Sequence, residues 1–388
     1  MTHHLLKPYE LSDRLDETAF CFRGYNVTNL GRTPELLAHR VYGHVVERYL
    51  REASEICADV TGRATDLLRR VRSGSESTLD TFGEDIGLIV AVELAQIELL
   101  EQFFGVSYRH ARLGLGYSLG EVTGLVAGGV FNMRDVLPPL MALAKDCAEL
   151  ARDVTMGIVF SRGPALDLEA VERLCLEITQ QGRGAIAISS YLSPNTVLVL
   201  GQGDAVDRFK ERMAGVLSGP VNLRKNSGSW PPLHTPLLWQ RNIPNRAAVM
   251  MQTGNGGFRP PVPPVLSLVT GETSYNDYNA RQLMNRWIDE PQRLWEAVYE
   301  LLARGIEVVV HVGPDPNLVP ATFKRLSDNV AHELSGRSLR TLGLRAVSSM
   351  VTRPWLSKLL SARAALLRAP FVVHLILEDW LLAQEAKP

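Results

Sequence analysis

Gly116-Tyr117-Ser118-Leu119-Gly120 has the spacing of a serine nucleophile carried on a tight turn. The segment before it, Ala111 to Leu115, reads as a short buried strand. After Glu121 a small apolar run, Val122 to Val130, begins as a helix. Strand, sharp turn, serine and helix is the context in which a hydroxyl is presented for attack on an acyl carbon. The following helix points unpaired N–H groups and partial positive charge at whatever binds there. The same five-residue pattern also arises by chance in glycine-rich strand–helix turns, so the rest of the chain has to support the chemistry.

A serine hydroxyl is a poor nucleophile until a base takes its proton, and a histidine held by a further acceptor is the usual base. The chain has nine histidines. His3 and His4 lie in the polar lead-in, His39 and His44 on a polar helix, His110 in a basic loop, and His332 and His374 in or near the tail. His311 stands near the end of a strand. His234 stands in a loop between Pro232 and Pro236, which restrict the backbone around it. By spacing alone a loop histidine is more often structural than catalytic. An acyl-transfer site also needs N–H donors for the oxyanion. The elbow supplies the N–H of Leu119, and the loop Gly24-Tyr25 is a second candidate, with an ordinary strand–helix connection as the plainer reading.

The elements that must position these residues alternate between strand and helix. Thr18 to Phe22 reads as a buried strand feeding the loop Arg23-Gly24-Tyr25-Asn26, and loops at the C-terminal ends of parallel strands are where ligands bind. Pro34 to Val71 is helical in character, and Ile86 to Phe104 is a strongly apolar helix ending before Gly105. A further helix is expected from about Val136 to Val154. The texture then changes. Met156 to Phe160, Ala185 to Ser190, Thr196 to Gly201 and Val221 to Lys225 read as strands. Helices at Asp167 to Gln181 and Gly203 to Leu217 complete a β-α-β-β-α-β order. Val265 to Val269 and Ile306 to Val312 return to the first pattern.

Composition is that of an ordinary globular chain, 46% hydrophobic and 21% charged. A net charge of −1 gives no reason to expect a nucleic-acid partner. No basic leader with a short apolar core opens the chain, and no apolar run reaches the roughly 18 residues of a membrane span, so a cytoplasmic protein is expected. Cys21, Cys57, Cys147 and Cys175 have neither metal spacing nor a disulfide framework, and free buried thiols are expected.

Several stretches, in order from about residue 18 to about residue 328, resemble the malonyl-CoA:acyl-carrier-protein transacylases and the acyltransferase domains of polyketide and fatty-acid synthases. Phe22-Arg23-Gly24-Tyr25-Asn26 is similar to that family's Phe-Pro-Gly-Gln-Gly loop. Gly116 to Glu121 resembles its Gly-His-Ser-Leu-Gly-Glu elbow, and Leu125 to Gly129 the helix end after it. Leu233-His234-Thr235-Pro236-Leu237 resembles His-Ser-Pro-Leu-Met, and Ser267 to Gly271 resembles Ser-Asn-Val-Thr-Gly. His311-Val312-Gly313-Pro314 is similar to the closing Glu-Val-Gly-Pro.

The resemblance implies an α/β acyltransferase fold: an α/β-hydrolase-like core with a parallel sheet and an inserted ferredoxin-like small subdomain. The implied layout is a lead-in at 1–17, the large subdomain at 18–154 and 227–344, the small subdomain at 155–226, and a helical C-terminal extension at 345–388. It implies Ser118 as nucleophile, His234 as general base, and the N–H groups of Leu119 and Tyr25 as the oxyanion hole. The carbonyl of Glu290, just before Pro291-Gln292-Arg293-Leu294-Trp295, would orient the histidine. Tyr117, Leu143 and Leu233 would line the acyl pocket. No cofactor or metal is called for. The implied partners are an acyl-CoA or acyl-carrier thioester and an acyl carrier protein with its phosphopantetheine arm.

The departures bear on substrate. Tyr117 stands where the family usually has histidine, and Arg23 and Tyr25 replace proline and glutamine. Malonyl-specific members carry an arginine about 25 residues after the serine, whose guanidinium grips the free carboxylate as a fork. The ungapped position here is Leu143, and no arginine occurs between Arg134 and Arg152. A carboxylate without a partner in an apolar pocket is unfavourable. An acyl group lacking a free carboxylate is therefore expected, unless Lys145, Arg152 or Arg162 reaches the pocket from another direction. Hydrolysis of acyl carriers and a catalytically impaired scaffold subunit are the competing functions.

Overall fold

The computed structural model describes residues 6–162, 165–335 and 362–386. Strands β1 (Thr18–Phe22), β2 (Leu113–Gly116), β7 (Val265–Leu266), β8 (Val308–Val312) and β9 (Val373–Ile376) form one sheet in the order β7-β2-β1-β8-β9. Every pairing in it is parallel. A parallel sheet is buried on both faces, and β1 shows this directly. Phe20 and Phe22 pack into one hydrophobic cluster with the helix Phe82–Phe104, while Ala19 and Cys21 pack into another with the helix Leu294–Ala303.

Between β2 and β7 the chain builds a second sheet from β3 (Val154–Ser161), β4 (Ile186–Ser193), β5 (Thr196–Gln202) and β6 (Val221–Ser229). Its order is β4-β5-β3-β6, all antiparallel, with helices Leu168–Thr179 and Ala205–Val216 supplying its own core. This is the ferredoxin-like unit expected from the β-α-β-β-α-β order.

Three expectations are corrected. The tail is not simply helical. Among the described residues of the tail, Val373–Ile376 adds a fifth strand to the free edge of β8, a 3₁₀ stretch at Ala362–Phe371 precedes it, and Leu377–Ala383 follows it as an α-helix. A short apolar run cannot be assigned to strand or helix by periodicity, and the open strand edge decided it. Residues 345–361 of the expected extension lie outside the described residues. The strand expected at Val265 to Val269 stops at Leu266, because Ser267 turns back to pair with Glu272. The helix expected from about Val136 to Val154 starts at Met133 and ends at Ala151, with Pro138 and Pro139 inside it.

The two ends of the chain meet. Trp380 Nε1 donates to Leu6 O at 2.6 Å, and Leu11 and Leu15 are buried. The lead-in, from residue 6 onward, is packed onto the body.

Candidate active site

Ser118 sits between β2 and the helix Leu119–Ala127 with φ 51° and ψ −119°, a conformation rarely adopted by a residue with a side chain. The glycines on either side make this possible. A Cβ on Gly116 would lie 2.0 Å from the carbonyl carbon of Gly120, and one on Gly120 would lie 2.4 Å from Phe22 O. The turn is thus pressed against the end of β1 and tolerates no side chain at either position.

Ser118 Oγ is 2.7 Å from His234 Nε2. His234 Nδ1 is 2.6 Å from the carbonyl oxygen of Trp287. A carbonyl only accepts, so Nδ1 carries the hydrogen and Nε2 presents its lone pair to the serine hydroxyl. Burial lowers the His234 pKa from its usual 6.5 to about 4, partly opposed by the bond to Trp287, so the resting imidazole is a neutral acceptor. His234 itself has φ 62°, and its N–H donates to Ile288 O at 2.7 Å.

The carbonyl that holds His234 is therefore that of Trp287, not Glu290. The reason lies in the helix Ala280–Asp289. Carbonyls in the last turn of a helix have no partner within it, and those of Trp287 and Ile288 point at the histidine loop. Glu290 is already extended, and the chain there swings away to pair with β4, Gln292 N donating to Ser189 O at 2.8 Å. The Trp287 indole adds a second tie, donating to Ser118 O at 3.1 Å. Sequence reasoning missed Trp287 because no side-chain pattern marks a carbonyl.

Neither Leu119 N nor Tyr25 N has a hydrogen-bond partner among the described residues. Leu119 opens the helix directly after Ser118, and Tyr25, in the loop after β1, lines the same small cavity as Ser118. The Tyr25 loop is fixed by Arg23, which is buried. Its guanidinium donates to Gly24 O at 2.8 Å, Asn29 Oδ1 at 2.9 Å, Thr28 O at 3.2 Å, and Pro314 O. Arg23 N donates to Glu93 Oε1 at 2.7 Å, and Thr123 donates to the other oxygen of Glu93. Burial pushes the Glu93 carboxyl up to about 8 against the opposing pull of these partners. This network ties the opening loop both to the helix behind Ser118 and to the segment after β8.

Two cavities meet at Ser118. The smaller, about 40 Å³, is lined by Phe82, Ile86, Leu140, Leu143, Leu233 and Trp287 among others, and no charged side chain among the described residues faces it. The larger, about 310 Å³, runs between the two sheets past Tyr117, Leu233, Trp230 and His311. Leu143 and Leu233 thus line the small cavity beside Ser118. Tyr117 lines the larger cavity alone, with its hydroxyl 2.8 Å from Ser190 Oγ of β4. Lys145 and Arg162 are exposed, and Arg152 is exposed beside Asp80 at 3.5 Å. Among the described residues Arg23 is the one formally charged residue lining the larger cavity, and its donors are spent on carbonyls and on Asn29.

No family model matches the chain. The malonyl CoA-acyl carrier protein transacylase of Salmonella typhimurium is 24% identical over 324 residues, 81% of this chain and 94% of that protein. Polyketide synthase GfsA of Streptomyces halstedii is 25% identical over 309 residues, 77% of this chain but only 4% of that much longer protein. The fold matches that of a malonyl-transacylase solved in complex with its type II polyketide-synthase acyl-carrier protein. The TM-score is 0.61 at 22% identity, covering 79% of this chain and 92% of that one. The chain resembles malonyl-CoA:acyl-carrier-protein transacylases and polyketide-synthase acyltransferase domains as a divergent relative, at about a quarter identity. The matched portion is about four-fifths of its length. No helix among the described residues is long and apolar enough to cross a membrane.

Proposed function

We propose that this acyltransferase moves an acyl group without a free carboxylate between a thioester donor and an acyl carrier protein, through an ester on Ser118. The observation that carries the reading is the chain of contacts Ser118 Oγ–His234 Nε2 and His234 Nδ1–Trp287 O beside a small cavity with no cation in its wall.

In the forward half, His234 Nε2 takes the hydroxyl proton as Ser118 Oγ adds to the thioester carbonyl carbon. The oxyanion is met by the N–H groups of Leu119 and Tyr25. The C–S bond then breaks, and the departing thiolate takes the proton from His234. The second half reverses these steps with the thiol of the acceptor carrier's phosphopantetheine arm. Leu143 replaces the guanidinium that would hold a malonyl carboxylate, so the smaller cavity receives an uncharged end. The four free, buried cysteines fit a reducing, cytoplasmic setting. Ser118 and His234 remain in bonding contact, which speaks against a purely scaffolding role.

The test is intact-protein mass after incubation with malonyl-, acetyl- and medium-chain acyl thioesters, beside Ser118→Ala. An adduct from uncharged donors alone, absent in the variant, is the expected result. A malonyl adduct of equal yield would remove the substrate assignment. Free acid accumulating without any acyl transfer to a carrier thiol would make the protein a hydrolase instead.

A further inference from the structure

The larger cavity has a polar wall that the transfer chemistry does not use. His311, fully buried, lines it one residue short of the C-terminal end of β8. His311 Nε2 lies 2.9 Å from His374 Nδ1, and the two rings stack with centroids 5.2 Å apart. His311 Nδ1 has no hydrogen-bond partner among the described residues. A buried ring nitrogen without a partner is unfavourable unless a group arriving in the cavity completes it.

His311 stands where the family's closing motif has glutamate. His374 lies on β9, beyond residue 328 where the resemblance ends, and it reaches His311 because β9 pairs with β8 in register, Val309 opposite His374. The cavity lining that His311 joins includes apolar Cys21, Met156, Leu198 and Val319 as well as polar Asn226 and Asn317.

Burial holds both rings neutral. His374 is lowered to about 4, and His311 lies well below its usual range, pressed further by His374. Two neutral imidazoles in contact share one hydrogen. If His311 Nε2 donates to His374 Nδ1, the free Nδ1 of His311 is an acceptor. If His374 Nδ1 donates, the free Nδ1 carries a hydrogen. The same atom can therefore meet a hydroxyl, a carbonyl or an amide, and the tautomer follows the ligand.

The geometry points to His311 Nδ1 as a specificity-determining hydrogen-bond site for a polar group that the thioester substrate carries into the larger cavity. This rests on the acyl-transfer reading above. Two parts of such a substrate offer that chemistry: an oxygen on the acyl chain, as in a 3-hydroxy- or 3-oxoacyl group, and the polar groups of the pantetheine arm beyond its first amide, which N-acetylcysteamine lacks. A buried ring nitrogen with no partner of its own discriminates well, because a substrate without the matching group leaves it unpaired.

The experiment measures kcat/KM for acylation of Ser118 in the full-length protein. Donors are saturated, 3-hydroxy and 3-oxo acyl groups of one chain length, each on pantetheine and on truncated N-acetylcysteamine. Proteins are wild type, His311→Leu and the ring-sized His311→Phe, with His374→Phe to remove the neighbour. If the acyl oxygen is the ligand, wild type prefers oxygenated donors on both carriers by ~10-fold or more, and the His311 variants lose that preference. If the arm is the ligand, the variants lose a similar factor with every pantetheine donor and nothing with the truncated ones. Equal losses on all donors, or none, would overturn the assignment and leave His311 a packing residue. Failure of wild type to acylate with any donor would overturn the acyl-transfer reading and this site with it. Acylation with unaltered preferences would overturn this site alone.

Discussion

The two flanks of Ser118 are made of different material. On the histidine side the working parts are almost all backbone: two glycines that let the elbow close, a helix carbonyl that holds His234, and an N–H at a helix start. On the opening-loop side the parts are side chains: Arg23, Asn29, Glu93 and Thr123, all buried and bonded to one another or to loop carbonyls. Backbone groups do not depend on side-chain identity. The histidine flank can thus keep its chemistry while sequence drifts to about a quarter identity. The loop flank has been rebuilt around a charge. Gly313 shows the fit, since a Cβ there would lie 2.5 Å from Arg23 Cγ.

The contrast can be broken at several points. The largest effect is expected from Ser118→Ala or His234→Ala, each removing ~10⁴-fold or more of the acylation rate, measured by rapid-quench mass spectrometry. The pair combined should cost little more than either alone, because they act as a unit. Simple multiplication of the two losses would mean that they do not.

Next comes Arg23→Leu. It leaves the carbonyls of Gly24, Thr28 and Pro314 and the Asn29 side-chain oxygen without the guanidinium, while Glu93 keeps its bonds to Arg23 N and Thr123, and a loss of about 3–5 kcal/mol is expected in urea unfolding. Arg23→Lys should recover only part of this, because one ammonium cannot span acceptors placed for a planar fork. A fully stable, fully active Arg23→Leu protein would erase the difference between the flanks.

Trp287→Phe sharpens the comparison. It removes the indole bond to Ser118 O but keeps the carbonyl on His234, so activity should fall no more than ~10-fold. A loss as deep as that of His234→Ala would show that the side chain, not the carbonyl, sets the histidine.

A pH profile probes the same flank. The His234 pKa is depressed toward about 4 from 6.5, and only the neutral ring accepts the serine proton. The acid limb of kcat/KM should therefore lie well below pH 6.5. The same depression means the unfolded chain binds the extra proton first, so stability is lost as pH falls through the window from 6.5 toward 4. An acid limb at or above 6.5 would place His234 in water.

The smallest effect is reserved for Tyr117→Phe. It deletes the hydroxyl bond to Ser190 that links elbow and small subdomain, at a cost of about 0.5–1.5 kcal/mol in thermal unfolding.

Much of this architecture was legible beforehand, and unevenly. Gly116, Ser118 and Gly120 could be read because a turn that admits no Cβ leaves glycine as its only solution. The ferredoxin-like unit could be read because its strands and helices differ in period. Leu143 could be placed by counting from the serine, and it does face the small cavity. Glu290 was misplaced because the acceptor is a main-chain atom, and one turn of helix separates the residue that aligns from the carbonyl that points. Arg23 was visible in sequence only as a departure from the family's proline. Its partners come from Asn29, Glu93 and Pro314, which no local pattern connects.

Local chemistry in the sequence, then, determined the elbow, the histidine loop, the alternation of strand and helix, and the absence of an arginine beside the acyl end. Those depend on residue type and on neighbours a few positions away. Tertiary structure decided which carbonyl holds His234, where Arg23 spends its donors, and that residues 373–376 become a strand. It also brought His374 against His311 across 63 positions of chain. Each of these is a meeting of distant segments whose partners are fixed only when the sheet closes and its edge is filled.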